Sequence, residues 1–298
     1  MNEKKKAAFV ALIGRPSVGK STLLNTLCKA KVSIVSRTPQ TTRNAIRGIV
    51  NGRYGQLVFI DTPGMHQSEK KFNKKLQEVS IRSRDDADLI LYVLDSCREP
   101  GPEEEAIVSY LASQPAESIV VAVNKNDDPD SQPDRAVNFV KEHLSVPDTR
   151  CFSLSALERV GTEPLLDCLF ECAPEGDAFY PEEYYTDQEV PFRIAEIIRE
   201  KATRHLYDEL PHSIYVEVAD AELRNDDTKL WVRAFLVTER ESQKGIVVGK
   251  GASMIKVIRQ EAERDLNRIF EWKVELDLRV KTVKDWRHRD ASLHKLIW

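Results

Sequence analysis

The chain has 298 residues, of which 41% are hydrophobic and 31% charged, so it is long enough for about two domains with buried cores. Its formal net charge is −4, and neither residues 1–190 nor residues 191–298 are basic enough to indicate nucleic-acid binding from composition alone. No apolar run approaches the roughly 20 residues that a membrane-spanning helix needs. The short N-terminal apolar stretch runs straight into a glycine loop, which makes it a poor signal peptide.

The cysteines predict free thiols in a reducing, cytoplasmic compartment. There are five of them, an odd number, and no two have the C-x-x-C spacing of redox or metal sites. They are Cys28, Cys97, Cys151, Cys168 and Cys172.

Apolar strands alternate with amphipathic helices over residues 1–174. Strands are predicted at 7–14, 57–64, 88–96, 118–125 and 150–156, and helices at 20–30, 69–86, 102–113, 133–144 and 162–172. This alternation predicts an α/β domain with a doubly wound, mostly parallel sheet. Ligands of such sheets bind at the carboxyl ends of the strands, so polar motifs at those ends are candidate site residues.

The pattern changes after residue 174. Residues 175–191, "EGDAFYPEEYYTDQEVP", have no helical or strand period and are predicted to be a linker. Residues 192–298 predict a second, α+β domain. Its predicted elements are a helix at 192–206, strands at 213–221 and 229–240, a short turn or helix, a glycine loop, a helix at 253–270 and a strand at 272–282.

The motif "GRPSVGKS" at 14–21 follows the first strand and precedes the first helix, which is the context of a phosphate-binding loop. Backbone N–H groups of residues 15–21 are expected to surround the phosphates of a nucleotide. Lys20 would neutralise charge on the β- and γ-phosphates, and the Ser21 hydroxyl would bind Mg²⁺. The predicted nucleotide-binding residues here are Gly14, Arg15, Pro16, Ser17, Val18, Gly19, Lys20, Ser21 and Thr22.

A second motif, "DTPG" at 61–64, ends the next predicted strand. The Asp61 carboxylate is expected to hold Mg²⁺ through water, and the Gly64 N–H to meet the γ-phosphate. The predicted nucleotide-binding residues of this segment are Asp61, Thr62, Pro63, Gly64 and Met65.

Two further motifs predict that the base is guanine. In "NKND" at 124–127, the Asp127 carboxylate can accept hydrogen bonds from N1–H and the exocyclic amine of guanine, a donor pair that adenine lacks. In "SAL" at 155–157, backbone N–H groups would contact the base. The predicted base-binding residues are Asn124, Lys125, Asp127, Ser155, Ala156 and Leu157.

In this order the motifs resemble the translation-factor-related GTPases, and "SRTPQTTRNAIRGI" at 36–49 resembles switch I of the Era family. The resemblance implies that Thr42 is a ligand of Mg²⁺ and the γ-phosphate, so that Lys20, Thr42 and Gly64 support catalysis and Ser21, Thr42 and Asp61 hold the metal. It implies slow intrinsic hydrolysis, because Met65 stands where Ras-like enzymes have a water-orienting Gln. Ser17 replaces the family's usual Asn, which leaves potassium stimulation open.

A second glycine loop, "VVGKGASMIK" at 247–256, lacks the Lys-Ser/Thr pair of a nucleotide loop. It resembles the G-x-x-G loop of a KH domain of the bacterial type (type II), which binds the backbone of single-stranded nucleic acid. The predicted RNA-binding residues are Lys244, Gly249, Lys250, Gly251, Ala252, Lys256 and Arg259. Ala252 stands where the motif has Gly, which would cost little at negative φ and about 1 kcal/mol at positive φ.

The resemblance continues through residues 186–218 and so covers nearly the whole chain. It implies a monomeric GTP/GDP switch that uses Mg²⁺, binds small-subunit (16S) ribosomal RNA near its 3′ end, and assists assembly of the immature small ribosomal subunit. Two alternatives stay open, a GTPase acting on another RNA such as transfer RNA or at the inner face of the cell membrane, and an RNA-binding protein with a degenerate GTPase. The end of the chain, residues 283–298, either contacts RNA phosphates or packs Trp286.

Overall fold

The computed structural model describes residues 5–36, 42–62 and 87–288. They form two compact units, of which the first contains residues 5–33, 42–62 and 87–187, and the second contains residues 34–36 and 188–288. The predicted helix at 69–86 and residues 289–298 of the predicted tail lie outside the described residues.

The first unit is an α/β domain with one six-stranded sheet. Its strands are β1 (Lys6–Ile13), β2 (Ile46–Gly52), β3 (Gly55–Asp61), β4 (Leu89–Asp95), β5 (Ile119–Asn124) and β6 (Cys151–Ser153). Its helices are α1 (Lys20–Leu27), α2 (Pro102–Leu111), α3 (Pro133–His143) and α4 (Thr162–Cys172). The sequence therefore predicted the order of these elements, apart from β2.

The strand order is β2-β3-β1-β4-β5-β6, and every neighbouring pair is parallel except β2 with β3. The predicted doubly wound, mostly parallel sheet is confirmed. Every residue of β4 and β5 is buried, because helices cover both faces of the central strands. The parallel strands end together at one edge, which brings residues that follow β1, β3 and β5 close to one another.

Helix α2 positions part of that edge. Pro102 occupies its first turn, and the acidic residues Glu103–Glu105 lie beside the positive end of the helix dipole. The Gly101 N–H lies 3.5 Å from the Glu104 carboxylate, which closes the first turn. Ile107 and Leu111 anchor the other face of α2 in the core of the sheet.

The predicted linker has defined contacts with the first unit up to Asp187. The Gln56 side chain accepts hydrogen bonds from the N–H groups of Phe179 and Tyr180 and donates one to the Tyr180 carbonyl. The Ile49 N–H donates to the Tyr185 carbonyl, so this segment follows the outer edge of β2. The structure divides the chain after Asp187, within the predicted linker.

The second unit is an α+β domain with a three-stranded sheet. Its elements are α5 (Val190–His205), β7 (Tyr215–Arg224), β8 (Lys229–Thr238), α6 (Glu241–Val248), α7 (Ser253–Ile269) and β9 (Lys273–Thr282). Strands β7 and β8 are antiparallel, β8 and β9 are parallel, and apolar side chains of α5 and α7 pack on one face of the sheet.

Trp286, in the segment after β9, is fully buried. Its indole Nε1–H donates a 3.0 Å hydrogen bond to the Ser213 carbonyl, and its ring packs edge-on against Tyr215 with centroids 4.8 Å apart. The first part of the predicted tail therefore packs into the second unit through Trp286.

Within the described ranges, no helix has both the length and the apolar character needed to cross a membrane. All five cysteines are free thiols.

Candidate functional site

The loop between β1 and α1 is enclosed by the rest of the first unit. Gly19 precedes the helix with φ +98°, and a Cβ at this position would lie only 2.4 Å from Nδ2 of Asn124. Ser17 also has a positive φ of 67°, a conformation that costs most residues about 1–2 kcal/mol. Val18 is fully buried between them. The loop therefore points its backbone toward the edge where β3 and β5 end.

Lys20 begins α1, and its side chain lies inside this loop. The Nζ atom donates hydrogen bonds to the carbonyls of Gly14 (2.8 Å) and Arg15 (3.0 Å). Burial lowers the pKa of Lys20, and the nearby carboxylates of Asp61 and Glu103 oppose this shift. The ammonium group is thus held in place by neutral carbonyls, and an anion bound in the loop would gain a charge-assisted partner.

Asp61 ends β3 and collects three hydroxyl groups on one carboxylate oxygen. Ser21 Oγ donates to its Oδ2 over 2.6 Å, Ser33 Oγ over 2.9 Å and Thr42 Oγ1 over 3.4 Å. Its other oxygen, Oδ1, is buried with no hydrogen-bond partner among the described residues. Burial raises the pKa of Asp61, while Lys20 and the three hydroxyls lower it. The three predicted metal ligands are therefore adjacent in space.

Asn124 ends β5 and connects two loops. Its Nδ2 donates to the Val18 carbonyl over 2.9 Å, and its Oδ1 accepts a 2.9 Å hydrogen bond from the Ala156 N–H. Both loops are thereby fixed to the end of the same strand. The predicted base-binding segments at 124–127 and 155–157 consequently lie beside the phosphate loop.

The Asp127 carboxylate accepts a hydrogen bond from Ser155 Oγ, which in turn accepts one from the Glu158 N–H over 3.0 Å. Lys125 has φ 73°, and its Nζ forms a 2.6 Å ion pair with Asp95 at the end of β4. Asp127 thus lies at the edge with one carboxylate oxygen oriented by Ser155.

The remaining predicted residues of this site differ in burial, and some lie outside the described residues. Thr62 is buried and donates to the Leu12 carbonyl over 3.2 Å. The Leu157 side chain is 69% exposed, so only its backbone is available for the predicted contact. Pro16 and Thr22 flank the loop and the start of α1, while Pro63, Gly64 and Met65 lie outside the described residues.

Three residues of this edge were not predicted. Ser33 reaches Asp61 because the Asn25 side chain bonds the backbone at 32–33, and nothing in the local sequence indicates this. Asp95 ends an apolar strand, the position at which sheet-edge residues are expected. Glu104 binds the side chain of Arg15, which is therefore engaged inside the protein.

In the second unit, the predicted glycine turn lies between α6 and α7 and is open to solvent. Gly249 has φ 75°, Gly251 has φ 60° and Ala252 has φ 60°. A Cβ at Gly251 would meet no atom within 4 Å. Ala252 therefore has a positive φ, which costs alanine about 1 kcal/mol relative to glycine.

The basic residues around this turn fall into two groups. Lys250 and Lys256 are exposed, and neither has an acidic partner among the residues that the structure describes. Lys244 lies 3.8 Å from Glu241, and Arg259 forms a 2.6 Å ion pair with Glu263 on the next turn of α7. Lys250 and Lys256 therefore differ from Lys244 and Arg259, which have acidic neighbours.

Comparison with known proteins assigns both units. The sequence model of a family described as "50S ribosome-binding GTPase" matches residues 9–125, and the KH-domain model matches residues 209–287. GTPase Era of Treponema denticola is 50% identical over 295 residues, which cover 97% of this chain and 99% of that protein.

Two solved structures match over both units. A tyrosine variant of Aquifex aeolicus Era bound to GDP and AlF₄⁻ has a TM-score of 0.90 and 31% identity, covering 97% of this chain and 98% of its own. Era in complex with MgGDPNP and nucleotides 1506–1542 of 16S ribosomal RNA matches with the same TM-score, identity and coverage. Together with the relative that is 50% identical over nearly the full length, these matches show that the chain belongs to the Era family of GTPases.

Proposed function

We propose that this GTPase is a molecular switch that binds small-subunit ribosomal RNA near its 3′ end and assists assembly of the small ribosomal subunit. The observation that carries the proposal is the match, over 97% of the chain, to an Era protein solved with both a GTP analogue and nucleotides 1506–1542 of 16S ribosomal RNA. The enclosed site of the first unit and the exposed turn at 249–252 supply one polyphosphate-binding feature for each of these ligands.

The residues around Asp61 fit a Mg²⁺ ion. The hydroxyls of Ser21 and Thr42 lie 3.1 Å apart and both contact the Asp61 carboxylate, so three oxygen donors converge on one point. Mg²⁺ prefers oxygen ligands, and the unpartnered Oδ1 of Asp61 gives the carboxylate a free acceptor for a water of the ion. When bound, Mg²⁺ would offset negative charge on the β- and γ-phosphates.

Lys20 and the loop backbone would bind the phosphates. Among the residues that the structure describes, the Lys20 ammonium donates hydrogen bonds to the neutral carbonyls of Gly14 and Arg15. Phosphate oxygens would replace these carbonyls as stronger, charged partners. Thr42 would align the γ-phosphate for attack by water. Because residue 65 is methionine, its side chain cannot orient that water, and we propose slow intrinsic hydrolysis.

Asp127 would read the guanine base. One of its oxygens is oriented by Ser155, so the carboxylate can face the N1–H and exocyclic amine of guanine. We expect Asp127→Asn to weaken GTP binding by tenfold or more and to favour xanthosine triphosphate, whose base carries a carbonyl in place of the amine. Titration of both nucleotides measures this preference.

The neighbouring acid supplies a matched control for that titration. Asp128 directly follows the "NKND" motif and is exposed, and among the contacts described for its side chain it accepts a hydrogen bond only from the Asp130 N–H. Asp128→Asn should keep the wild-type preference for GTP. Equal GTP affinity in wild type and Asp127→Asn would remove the guanine assignment.

The RNA partner is tested by crosslinking the added protein to RNA in a cell lysate. The protein loaded with a non-hydrolysable GTP analogue should capture the 3′ end of small-subunit ribosomal RNA more strongly than the GDP form or Gly251→Asp. Capture of transfer RNA or large-subunit RNA would replace the proposed partner. Large-subunit RNA is included among these outcomes because the matching GTPase family is described as binding the 50S ribosome.

A further inference from the structure

Arg15 and Glu104 form a buried ion pair that reaches the phosphate loop from helix α2. Nε of Arg15 lies 2.9 Å from one carboxylate oxygen of Glu104, and Nη1 donates to the other over 3.3 Å. The exposed fraction is 8% for Arg15 and 3% for Glu104, so both charges are removed from water. The hydrogen bond from Nη1 and the close charge contact at Nε, which itself makes no hydrogen bond among the described residues, restrict the direction of the guanidinium.

The pair is held at both ends. Glu104 lies in the first turn of α2, where the Gly101 N–H contacts the same carboxylate oxygen that Arg15 Nη1 uses. Burial raises the pKa of Glu104, and the charge of Arg15 opposes that shift. At the other end, Arg15 directly follows Gly14 in the loop, where a Cβ would approach the Val93 carbonyl to 2.4 Å. The loop backbone at 14–15 is therefore fixed between β4 and α2.

The backbone of Gly14 and Arg15 also holds Lys20, the lysine that would bind phosphate. Lys20 Nζ donates to the carbonyls of Gly14 and Arg15 at 2.8 and 3.0 Å. A rotation of the peptide between residues 14 and 15 would move one of these carbonyls and one of the N–H groups of the loop. The side chain of Arg15 thus controls the direction of backbone groups that lie beside the Lys20 ammonium.

Stability alone is a weak reason for this pair. Desolvating two charges costs several kcal/mol per ion, and replacing a buried pair by apolar side chains of similar volume is often neutral or stabilising. A geometric role does require the charges, because apolar side chains would pack without fixing the direction of the backbone.

We propose that Arg15 and Glu104 are positioning residues that set the phosphate-binding geometry of the loop and of Lys20. In this arrangement the guanidinium of Arg15 is committed to Glu104 and does not contact the nucleotide itself. The inference rests on the proposed nucleotide site and adds a support from α2 that lies outside its motifs. It predicts a loss confined to phosphate recognition, with guanine recognition by Asp127 unchanged.

The test separates positioning from stability with three variants. Arg15→Met leaves an unpaired buried carboxylate and should lower both the thermal midpoint and GTP affinity. Glu104→Gln is nearly isosteric and should fold even where Arg15→Met does not. The double variant Arg15→Met/Glu104→Met replaces the pair by apolar side chains of similar volume and should recover the thermal midpoint.

Affinities for GTP, GDP and guanosine are then compared at saturating Mg²⁺. We expect Glu104→Gln and the double variant to bind GTP at least fivefold more weakly than wild type, with guanosine affinity and the preference for GTP over xanthosine triphosphate unchanged. The hydrolysis rate at saturating GTP should fall as well. Recovery of both the thermal midpoint and GTP affinity in the double variant would overturn the inference, since the pair would then act only in stability.

Two controls complete the experiment. Arg135 and Glu99 form an exposed pair at 3.4 Å in the same unit, so Arg135→Met/Glu99→Met should change neither the thermal midpoint nor GTP binding. Lys20→Ala reports on the site itself. Wild type that binds GTP no better than Lys20→Ala would contradict the proposed nucleotide site, whereas a Lys20 effect with wild-type binding in the pair variants would contradict only the present inference.

Discussion

The two glycine turns of this chain both lead into a helix, yet their surroundings differ. In the first turn, a Cβ at Gly19 would collide with Nδ2 of Asn124 at 2.4 Å. In the second turn, Gly251 has open space around its Cα and only its φ of 60° favours glycine. Gly19 thus needs to be glycine for both space and backbone conformation, whereas Gly251 needs to be glycine for conformation alone. Gly249, at the start of the second turn, resembles Gly19, because a Cβ there would lie 2.8 Å from the Met254 Cβ.

The same contrast applies to charge. Lys20 in the first turn is buried and bonded to two carbonyls, so its position is fixed before a ligand arrives. Lys250 in the second turn is exposed. A fixed, desolvated cation suits one defined phosphate group, while a solvated cation suits a backbone that can be bound in several registers.

Removal of the fixed ammonium should have the largest effect. Lys20→Ala is expected to weaken GTP binding by at least a hundredfold, about 3 kcal/mol, because a buried charge-assisted contact is lost. RNA binding by the isolated nucleotide-free protein should be unchanged. Fluorescence titration with a labelled GTP analogue measures the loss, and Lys141→Ala, an exposed lysine of α3, is the control. A loss below threefold would contradict a role for Lys20 in phosphate binding.

The same substitution in both turns should give unequal losses of stability. Gly19→Ala combines backbone strain with a collision against Asn124, whose amide is bonded to Val18 and Ala156 and cannot move freely. We expect it to destabilise the first unit by roughly 3 kcal/mol. Gly251→Ala meets only strain and should cost the second unit about 1 kcal/mol.

Chemical denaturation followed by hydrogen exchange can assign each loss to its unit. The double variant Gly19→Ala/Asn124→Ala removes the colliding amide and should behave non-additively. Equal losses at Gly19 and Gly251 would show that the space around the Cα does not distinguish these two positions.

The motifs of the first turn could be predicted from the sequence because each has a fixed order of residues at the end of an apolar strand. Strand β2 was not predicted, since the segment before it resembles a switch region. The turn that follows it is Arg53-Tyr54, which is not one of the Asn-Gly or Asp-Gly pairs that indicate a hairpin. The three hydroxyls on Asp61 could be predicted only in part. Ser33 is held beside Asp61 because the Asn25 side chain accepts hydrogen bonds from the backbone at 32–33, and no sequence pattern indicates this contact.

The ion pair of Arg15 with Glu104 joins residues 89 positions apart, so no sequence spacing indicates it. In the second turn, the sign of φ at Ala252 was left open, because a residue that begins a helix has negative φ whereas the glycine of the motif allows positive φ. The observed φ of 60° belongs to the four residues, 249–252, that connect α6 to α7, three of which have positive φ. The conformation of the turn here overrides the preference of alanine for negative φ.

A negative charge in the open turn should affect RNA without affecting GTP. Gly251→Asp would place a carboxylate beside Lys250 and Lys256, and we expect RNA affinity to fall by about fivefold or more, roughly 1 kcal/mol. GTP affinity should not change, since the substitution lies in the other unit. The measurement is binding of a single-stranded RNA from the 3′ end of small-subunit ribosomal RNA at several salt concentrations.

Gly251→Ala is the matched control for that experiment, because it carries the same backbone strain without the charge. It should keep RNA affinity within about twofold of wild type. Equal RNA affinity in wild type and Gly251→Asp would mean that this turn does not contact RNA.

The smallest expected effect is a gain at the neighbouring position. Ala252 has φ 60° and ψ 26°, a left-handed conformation that strains alanine but not glycine. Ala252→Gly should therefore stabilise the second unit by roughly 0.5–1 kcal/mol, after the entropy that glycine gains in the unfolded chain is subtracted. Ser253→Gly, one residue later at φ −64°, has no strain to relieve and should lose stability by a similar amount. Opposite signs in a denaturation experiment would show that conformation decides which residue suits this turn, whereas a loss in both variants would contradict the left-handed assignment. RNA affinity should stay within about twofold of wild type in Ala252→Gly, because the phosphate charge comes from lysines that the substitution leaves unchanged.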